Sequence, residues 1–277
     1  MKKHTLILLA LAAVFAFLMG ISGSYGQQPY FVLASTTSVE NSGLLAHILP
    51  LFTGESGVSV RVVALGTGQA LDTARRGDAD LVLVHDPEAE AKFISEGHGI
   101  NRREVAWNDF VIVGPAADPA KIKGNRDILA GLRGIWSTNA TFVSRGDQSG
   151  TDALEKRLWK AAHLDIGKAG PWYKDIGGGM GAALNAAAAL DAYTLTDRGT
   201  WLSFGNRQNL VILLEGDGRL INRYDVIELN PRLHPQIKHD LAKKFADWLV
   251  SPKGQSAIGN YELTGQRPFH PVSDPKP

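Results

Sequence analysis

Three runs of glycine and small hydroxylated residues hold most of the chemistry this sequence can do. They are Ser35-Thr36-Thr37-Ser38, Gly66-Thr67-Gly68-Gln69 and Ser144-Arg145-Gly146-Asp147-Gln148-Ser149-Gly150-Thr151. Each follows an apolar run that reads as a strand and opens a stretch with helical spacing. Helix N-termini present free backbone N–H groups and a partial positive charge, which suits an anion. Hydroxyls add donors that rotate to fit, and glycine lets the backbone come close. A fourth run, Gly177 to Gly181, has the same character with Met180 inside it. Each run taken alone is an ordinary helix cap, the commonest use of Ser and Thr there. Their recurrence points to a cage of neutral donors around an anion. Arg145 is the only cation in these runs, and a guanidinium meets an oxyanion edge with two parallel hydrogen bonds. Its plainer use is a surface ion pair with Asp147 or Asp152. Asp147 either orients Arg145 or accepts a hydrogen bond from a protonated ligand.

Other chemistries find little support. There is no cysteine, which excludes disulfide scaffolds, thiolate metal sites and catalytic thiols. The eight histidines are scattered, with no HExxH. His85-Asp86 at a strand end is half a metal site at best, and a structural role is favoured. No Gly-x-Ser-x-Gly elbow occurs, and Gly66-Thr67-Gly68 lacks the context of a dinucleotide fingerprint. A cleft-edge role for Trp201, after Asp197-Arg198-Gly199-Thr200, is a weak expectation. The formal net charge of +1 without a long basic run argues against nucleic-acid binding.

The loops need a scaffold to bring them together. Strands are expected at 30–34, 58–65, 81–84, 110–113, 141–143, 192–196 and 224–229, with a further apolar run at 211–214. Helices are expected at 41–52, 69–76, 88–96, 128–132, 152–162, 182–189, 197–204 and 239–250. Alternating strands and helices imply parallel sheets covered on both faces. The order reads as one α/β pattern inserted into another, with crossings near Gly114-Pro115 and Tyr224. Two lobes with two crossings make a cleft, a preferred place for small ligands, and ligands of such sheets bind beyond the carboxyl ends of the strands. The end from Pro268 to Pro277 reads as a loosely held tail. At 277 residues and 44% hydrophobic composition, two domains with sizeable cores are expected.

The N-terminus has the layout of a secretory signal peptide: Lys2-Lys3, an apolar run from Leu6 to Leu18, then small residues through Gly26. Cleavage after Gly26 removes both lysines and takes the charge from +1 to −1. No later stretch is long and apolar enough to span a bilayer. The expected product is an exported, soluble protein.

Taken together the motifs resemble a known family. Ser35-Thr36-Thr37-Ser38 with Asn41-Ser42-Gly43-Leu44-Leu45, the segments Leu65 to Ala70, Val143 to Thr151 and Tyr193 to Thr200, and the C-terminal Trp248 to Gln255 are similar to the tungstate-binding proteins of bacterial ABC transporters. The resemblance covers nearly all of the chain after the leader, in the right order. It implies a two-lobed type II periplasmic-binding-protein fold, each lobe a mainly parallel sheet flanked by helices, with the ligand cleft between them. Residues 27–113 plus 225–277 would form one lobe and 114–224 the other. It implies a monomeric periplasmic receptor with no catalytic activity, no cofactor and no free metal ion, which hands tungstate to a membrane permease driven by an ATPase. Carried over residue by residue, Thr37, Ser38 and Thr67 would bind from the first lobe. Arg145, Ser149, Gly150, Thr151 and, through its backbone, Met180 would bind from the second.

Two alternatives stay open at this level. Arg145-x-Asp147-x-Ser149-Gly150-Thr151 also resembles the loop of periplasmic phosphate receptors, where the Asp accepts a proton from hydrogen phosphate. Tungstate has no proton to give near neutral pH, so Asp147 must then turn away or pair with Arg145. Molybdate, of nearly the same size and charge, is a further candidate. An enzyme of another class, a secreted phosphoester hydrolase, would need a nucleophile beside the anion. Ser149 and Thr151 are the candidates, and neither has an obvious base.

Overall fold

The computed structural model describes residues 28–276; the signal-peptide reading lies outside them. The chain runs β1 (Tyr30–Thr36), α1 (Thr37–Asn41), α2 (Leu44–Ser56), β2 (Ser59–Leu65), α3 (Thr67–Arg75), β3 (Leu81–Val84), α4 (Pro87–Ser95) and β4 (Gly99–Pro115). It continues through α5 (Ile128–Thr138), β5 (Phe142–Ser144), α6 (Gly150–Ala161), β6 (Tyr173–Asp175), α7 (Met180–Leu190), β7 (Thr194–Asp197), α8 (Arg198–Ser203) and β8 (Leu210–Leu214). It ends with β9 (Ile221–Leu229), α9 (His239–Val250) and α10 (Pro252–Gly259). No helix among the described residues is long and apolar enough to cross a membrane.

Period-two alternation sorts the strand residues onto two faces. Phe31, Leu33, Leu81, Leu83 and Val226 face α2, α9 and α10, where Ile48, Phe52, Phe245 and Ile258 complete a core. Their neighbours Ala34, Val82, Val84 and Ile227 face α3 and α4, against Leu71, Ala74 and Phe93. β4 repeats the device further along: Phe110 and Ile112 enter a core with α5 and α6, while Val111 and Val113 enter one with α7 and Trp201. These four buried clusters form two lobes, each a sheet with helices on both faces. The change of core falls between Ala106 and Phe110 on β4 and between Leu220 and Tyr224 at β9.

The expectation of mainly parallel sheets needs correction. Among the described strands, β1 with β2, β1 with β3, and β5 with β6 pair in parallel, and an isolated parallel bridge joins Phe142 to Tyr193. The pairs β3–β9, β4–β9, β4–β7 and β4–β8 are antiparallel. The cause is the double crossing: β4 leaves the first lobe and β9 returns to it, so the two run in opposite directions side by side. The strand order β2-β1-β3-β9-β4-β7 therefore passes through both lobes. The supposed loose tail is also corrected. Phe269 is fully buried, and Trp107 and His270 exchange backbone hydrogen bonds of 3.0 and 2.8 Å while their rings stack at 4.2 Å.

Candidate oxyanion site

Four helix N-termini carry the runs singled out in the sequence. Thr36 caps α1, its hydroxyl accepting from the Val39 N–H at 3.2 Å. Gly66 caps α3 and makes Thr67 its first residue. Ser149 caps α6, accepting from the Asp152 N–H at 3.3 Å. Gly179 caps α7, with Met180 first and fully buried. The capping reading and the binding reading are thus compatible: capping hydroxyls occupy one orphan donor each, and other backbone N–H groups of the first turn stay free.

Arg145 ties three of them together. It follows β5, is only 1% exposed, and its guanidinium reaches both lobes. Nη1 donates to Ser38 Oγ at 3.2 Å and to Thr151 Oγ1 at 3.4 Å. Nη2 and Nε donate to Asp147 Oδ2 at 2.5 and 3.2 Å. Its carbonyl accepts from the Gly178 N–H at 2.9 Å, which fastens the Met180 loop to the same point. The turn that allows this passes through Gly146 at φ +61°, where a Cβ would overlap Asp175 Oδ1; no other residue fits.

Thr67 comes from the other side. Its hydroxyl is buried and has no hydrogen-bond partner, which costs on the order of 1–3 kcal/mol unless a ligand or water satisfies it. Gly150 faces it closely: a Cβ there would stand 3.3 Å from Thr67 Oγ1 and 3.3 Å from His85 Cε1. Of the eight residues proposed from sequence, Ser38 and Thr151 are each hydrogen-bonded to Arg145. Thr67 and Gly150 are in near contact, and Met180 is joined through Gly178. Ser149 is turned to its capping role and to Asp147, whose Oδ1 accepts from the Ser149 N–H at 3.2 Å. Thr37 sits half-buried beside Ser38.

Asp147 is engaged by Arg145 and Ser149. Partial burial works to raise its pKa, but the Ser149 hydroxyl and N–H and the Arg145 guanidinium outweigh it and hold the carboxyl below its usual range. It is a fixed carboxylate, paired with Arg145 as one of the two sequence alternatives required.

Two further groups, His85 and Asp197, belong at this site although the sequence does not place them there. Asp197 caps α8, accepting from the Thr200 N–H and hydroxyl at 2.8 and 2.7 Å. Burial pushes its pKa up, against the pull of Thr200 and the Arg145 charge. His85 is buried where Gly150 and Thr67 meet, and its Nδ1 lies 3.1 Å from Asn222 Oδ1. Asn222 in turn donates to Asn108 Oδ1 at 2.8 Å and to the Tyr224 hydroxyl at 2.7 Å, so the network joins the site to both crossing strands. Burial first, and then the Arg145 charge, lower the His85 pKa to about 4; the ring is neutral at physiological pH. The metal half-site gains nothing: among the described residues no group of three His, Cys, Asp or Glu could hold a metal ion. Trp201 is not at a cleft edge. It lies in the second-lobe core with Arg207 over its ring at 4.6 Å. The signal that could have found Asp197 is its spacing to Thr200, a plain capping pattern; His85 has no local signature.

A family model described as a PBP superfamily domain matches residues 22–253. The tungstate-binding protein TupA of Peptoclostridium acidaminophilum is 44% identical over 232 residues, covering 83% of this chain and 80% of that protein. The structure of the tungstate-binding protein TupA from Desulfovibrio alaskensis G20 superimposes with a TM-score of 0.78 at 44% identity, covering 89% of this chain and 100% of the other. The structure titled as the tungstate ABC transporter from Geobacter sulfurreducens gives 0.78 at 44% identity, over 84% and 98%. The chain belongs to the PBP superfamily and, within it, to the TupA family.

Proposed function

We propose that this protein is the periplasmic solute-binding component of an ABC importer and that it takes tungstate into the cleft between its lobes for delivery to a membrane permease and its ATPase. The observation that carries the reading is the buried Arg145 guanidinium, bonded to Ser38 of one lobe and Thr151 of the other where four helices begin. The relatives' names supply the ligand. Thr37, Ser38, Thr67, Arg145, Ser149, Gly150, Thr151 and the Met180 N–H are the proposed ligand set. The unpartnered Thr67 hydroxyl supports a donor reserved for it. The engagement of Asp147 with Arg145 favours a fully deprotonated dianion over hydrogen phosphate. Molybdate is the isosteric competitor.

The reading is of a binding protein with no catalytic step. Ser149 Oγ accepts from the Asp152 N–H as the cap of α6 and Thr151 Oγ1 accepts from Arg145, which are roles in capping and anion binding. The proposal includes export through the N-terminal leader, a monomer, and lobes made of 27–113 plus 225–277 and of 114–224. Core membership favours moving the first crossing back to the stretch between Ala106 and Phe110.

Isothermal titration calorimetry of the mature protein, stripped of ligand by unfolding and refolding, tests this with tungstate, molybdate, sulfate and phosphate in turn. Tight one-to-one binding of tungstate with sulfate and phosphate silent is expected. Tight phosphate binding with tungstate silent would make it a phosphate receptor. Silence for all four would overturn the oxyanion cage.

A further inference from the structure

The helix that opens at the anion site also reaches the other lobe a second time. Gly150, Leu154 and Arg157 stand at i, i+4 and i+7 on α6, one face of the helix. All three line a small cavity of about 120 Å³ at the seam between the lobes, shared with His85, Pro87 and Phe110. At the far end of this stripe Arg157 crosses the seam. Its Nη1 lies 3.7 Å from Asp86 Oδ1 and 3.5 Å from Glu88 Oε2. Asp86 is the N-cap of α4, accepting from the Glu88 and Ala89 N–H groups, so its carboxylate is fixed in place. Glu88 is the exposed partner. Seven residues of helix put Arg157 about 10 Å along the axis from Gly150, beyond the reach of a small oxyanion in the cage.

We infer that Arg157 is a latch between the lobes: it lengthens the life of the closed state by pairing with Asp86 and Glu88, and so sets how slowly the anion leaves without touching it. The inference rests on the oxyanion-receptor reading for its purpose. Both carboxylates belong to the first lobe and Arg157 to the second, so the pair exists only when the lobes are together. A contact present only in the closed state slows opening and leaves the encounter with ligand unchanged. The anion and the latch then share one rigid helix: its N-terminus is held by the ligand, its middle by the ion pair. Because the pair is partly exposed, its effect is bounded and sensitive to salt.

The chain has no cysteine, so two introduced cysteines label it uniquely. Leu51 and Leu190 are 49% and 46% exposed, one on each lobe. The doubly labelled L51C/L190C protein reports lobe closure by single-molecule energy transfer, with and without tungstate. Arg157→Gln and Glu88→Gln should each shorten the closed dwell by about two- to fivefold. The double variant should add little to Arg157→Gln, and Arg157→Lys should restore part of the dwell. High salt should shorten the closed dwell of the parent protein and leave that of Arg157→Gln nearly unchanged. Dwell times equal to the parent's overturn the latch. A slower closing rate with unchanged dwell also overturns it and makes Arg157 a steering charge. Failure of tungstate to lengthen the closed dwell of the parent would instead sink the tungstate reading, and the ligand-free closed dwell would still decide the latch.

Discussion

Gly150→Ala is a sharp probe of the closed cleft because it spares the rest of the machinery. Gly150 is the first residue of α6, its φ is not positive, and alanine is the better helix former. Its backbone N–H is kept, so no donor is lost. What changes is the seam. The new methyl would stand 3.3 Å from Thr67 Oγ1 and 3.3 Å from His85 Cε1, distances at which a neighbour must yield by a few tenths of an ångström, and in ordinary contact with His85 Nδ1 at 3.5 Å. Thr67 can rotate its hydroxyl. His85 cannot retreat freely, since Nδ1 is held to Asn222, which is itself held to Asn108 and Tyr224. Overpacking costs about 1–3 kcal/mol, and the lower end applies to contacts this slight. About 1 kcal/mol is close to a fivefold loss of affinity. Because only the closed state is crowded, the loss should lie in the dissociation rate. Calorimetry gives the affinity, displacement kinetics the rate, and a thermal melt the stability without ligand. Parent-like affinity would mean that the lobes do not close on Gly150. A melting temperature lowered by more than about 5 °C would put the damage in the fold rather than the cleft.

Three more outcomes follow from the same geometry. Arg145→Ala should weaken tungstate binding by about 100-fold or more, since charge-assisted bonds to the ligand are worth about 1.5–3 kcal/mol each; unchanged calorimetric affinity with a native circular-dichroism spectrum would remove Arg145 from the site. Asp147→Asn keeps one acceptor for Ser149 or Arg145 and removes a negative charge, so tungstate affinity should stay within about threefold of the parent or improve slightly; a large loss would mean that the ion pair aims Arg145. Glu155, whose Oε1 accepts from Trp159 Nε1 at 3.0 Å and Tyr173 OH at 2.8 Å, has its pKa raised by burial to about 7. A raised carboxyl favours the fold below its unfolded pKa of about 4.5 and loses that advantage as pH rises through 7, so melts of Glu155→Gln should gain on the parent between pH 5 and 8. His85, depressed to about 4, acts in the opposite sense and destabilises the fold as pH falls from about 6.5 toward 4. A melting difference that ignores pH would refute the Glu155 assignment.

Some of the fold was written in local pattern and some was not. The run Leu81–Val84 is apolar on both faces and reads as a buried strand, which it is. The amphipathic run His239–Val250 reads as a helix with the right ends. Sequence pattern marks β4 only from Phe110 to Val113, whereas it begins at Gly99. The missing part contains Asn101, Arg102, Arg103 and Glu104, which carry no strand signal of their own. They are extended because β9 lies alongside: Arg102 pairs with Asp225 at 2.6 Å and Arg103 with Glu228 at 2.7 Å. Cross-strand charge pairs, not periodicity, make that segment a strand, and a single sequence does not show which acid meets which base. β6, three residues long, is likewise a strand only by virtue of β5. Pro268–Pro277 looked loose because proline prevents regular structure, yet Phe269 and the Trp107–His270 bridge tie it to β4.

The site divides along the same line. A Ser/Thr/Gly helix start is a local property, so all four loops were legible, and α6 begins where Ser149 caps it. Which loops converge is tertiary, and only the recurrence of one design hinted at it. The chemistry that separates one oxyanion from another lies at a finer level again. In sequence, Arg145-x-Asp147 serves a tungstate or a phosphate receptor equally well; what differs is whether the carboxylate faces the ligand or the guanidinium. Here Asp147 accepts from two Arg145 nitrogens and from Ser149, and its depressed pKa follows from those bonds. A carboxylate so occupied is poorly placed to take a proton from hydrogen phosphate, and it lowers the net charge of Arg145 without cancelling the helix termini around it. The neutral donors then carry more of the selection. On the proposed reading, donors brought together across the seam by Thr67 and Gly150 would discriminate by size: a smaller tetrahedral anion such as sulfate would leave some of them unpaired, at a cost in affinity.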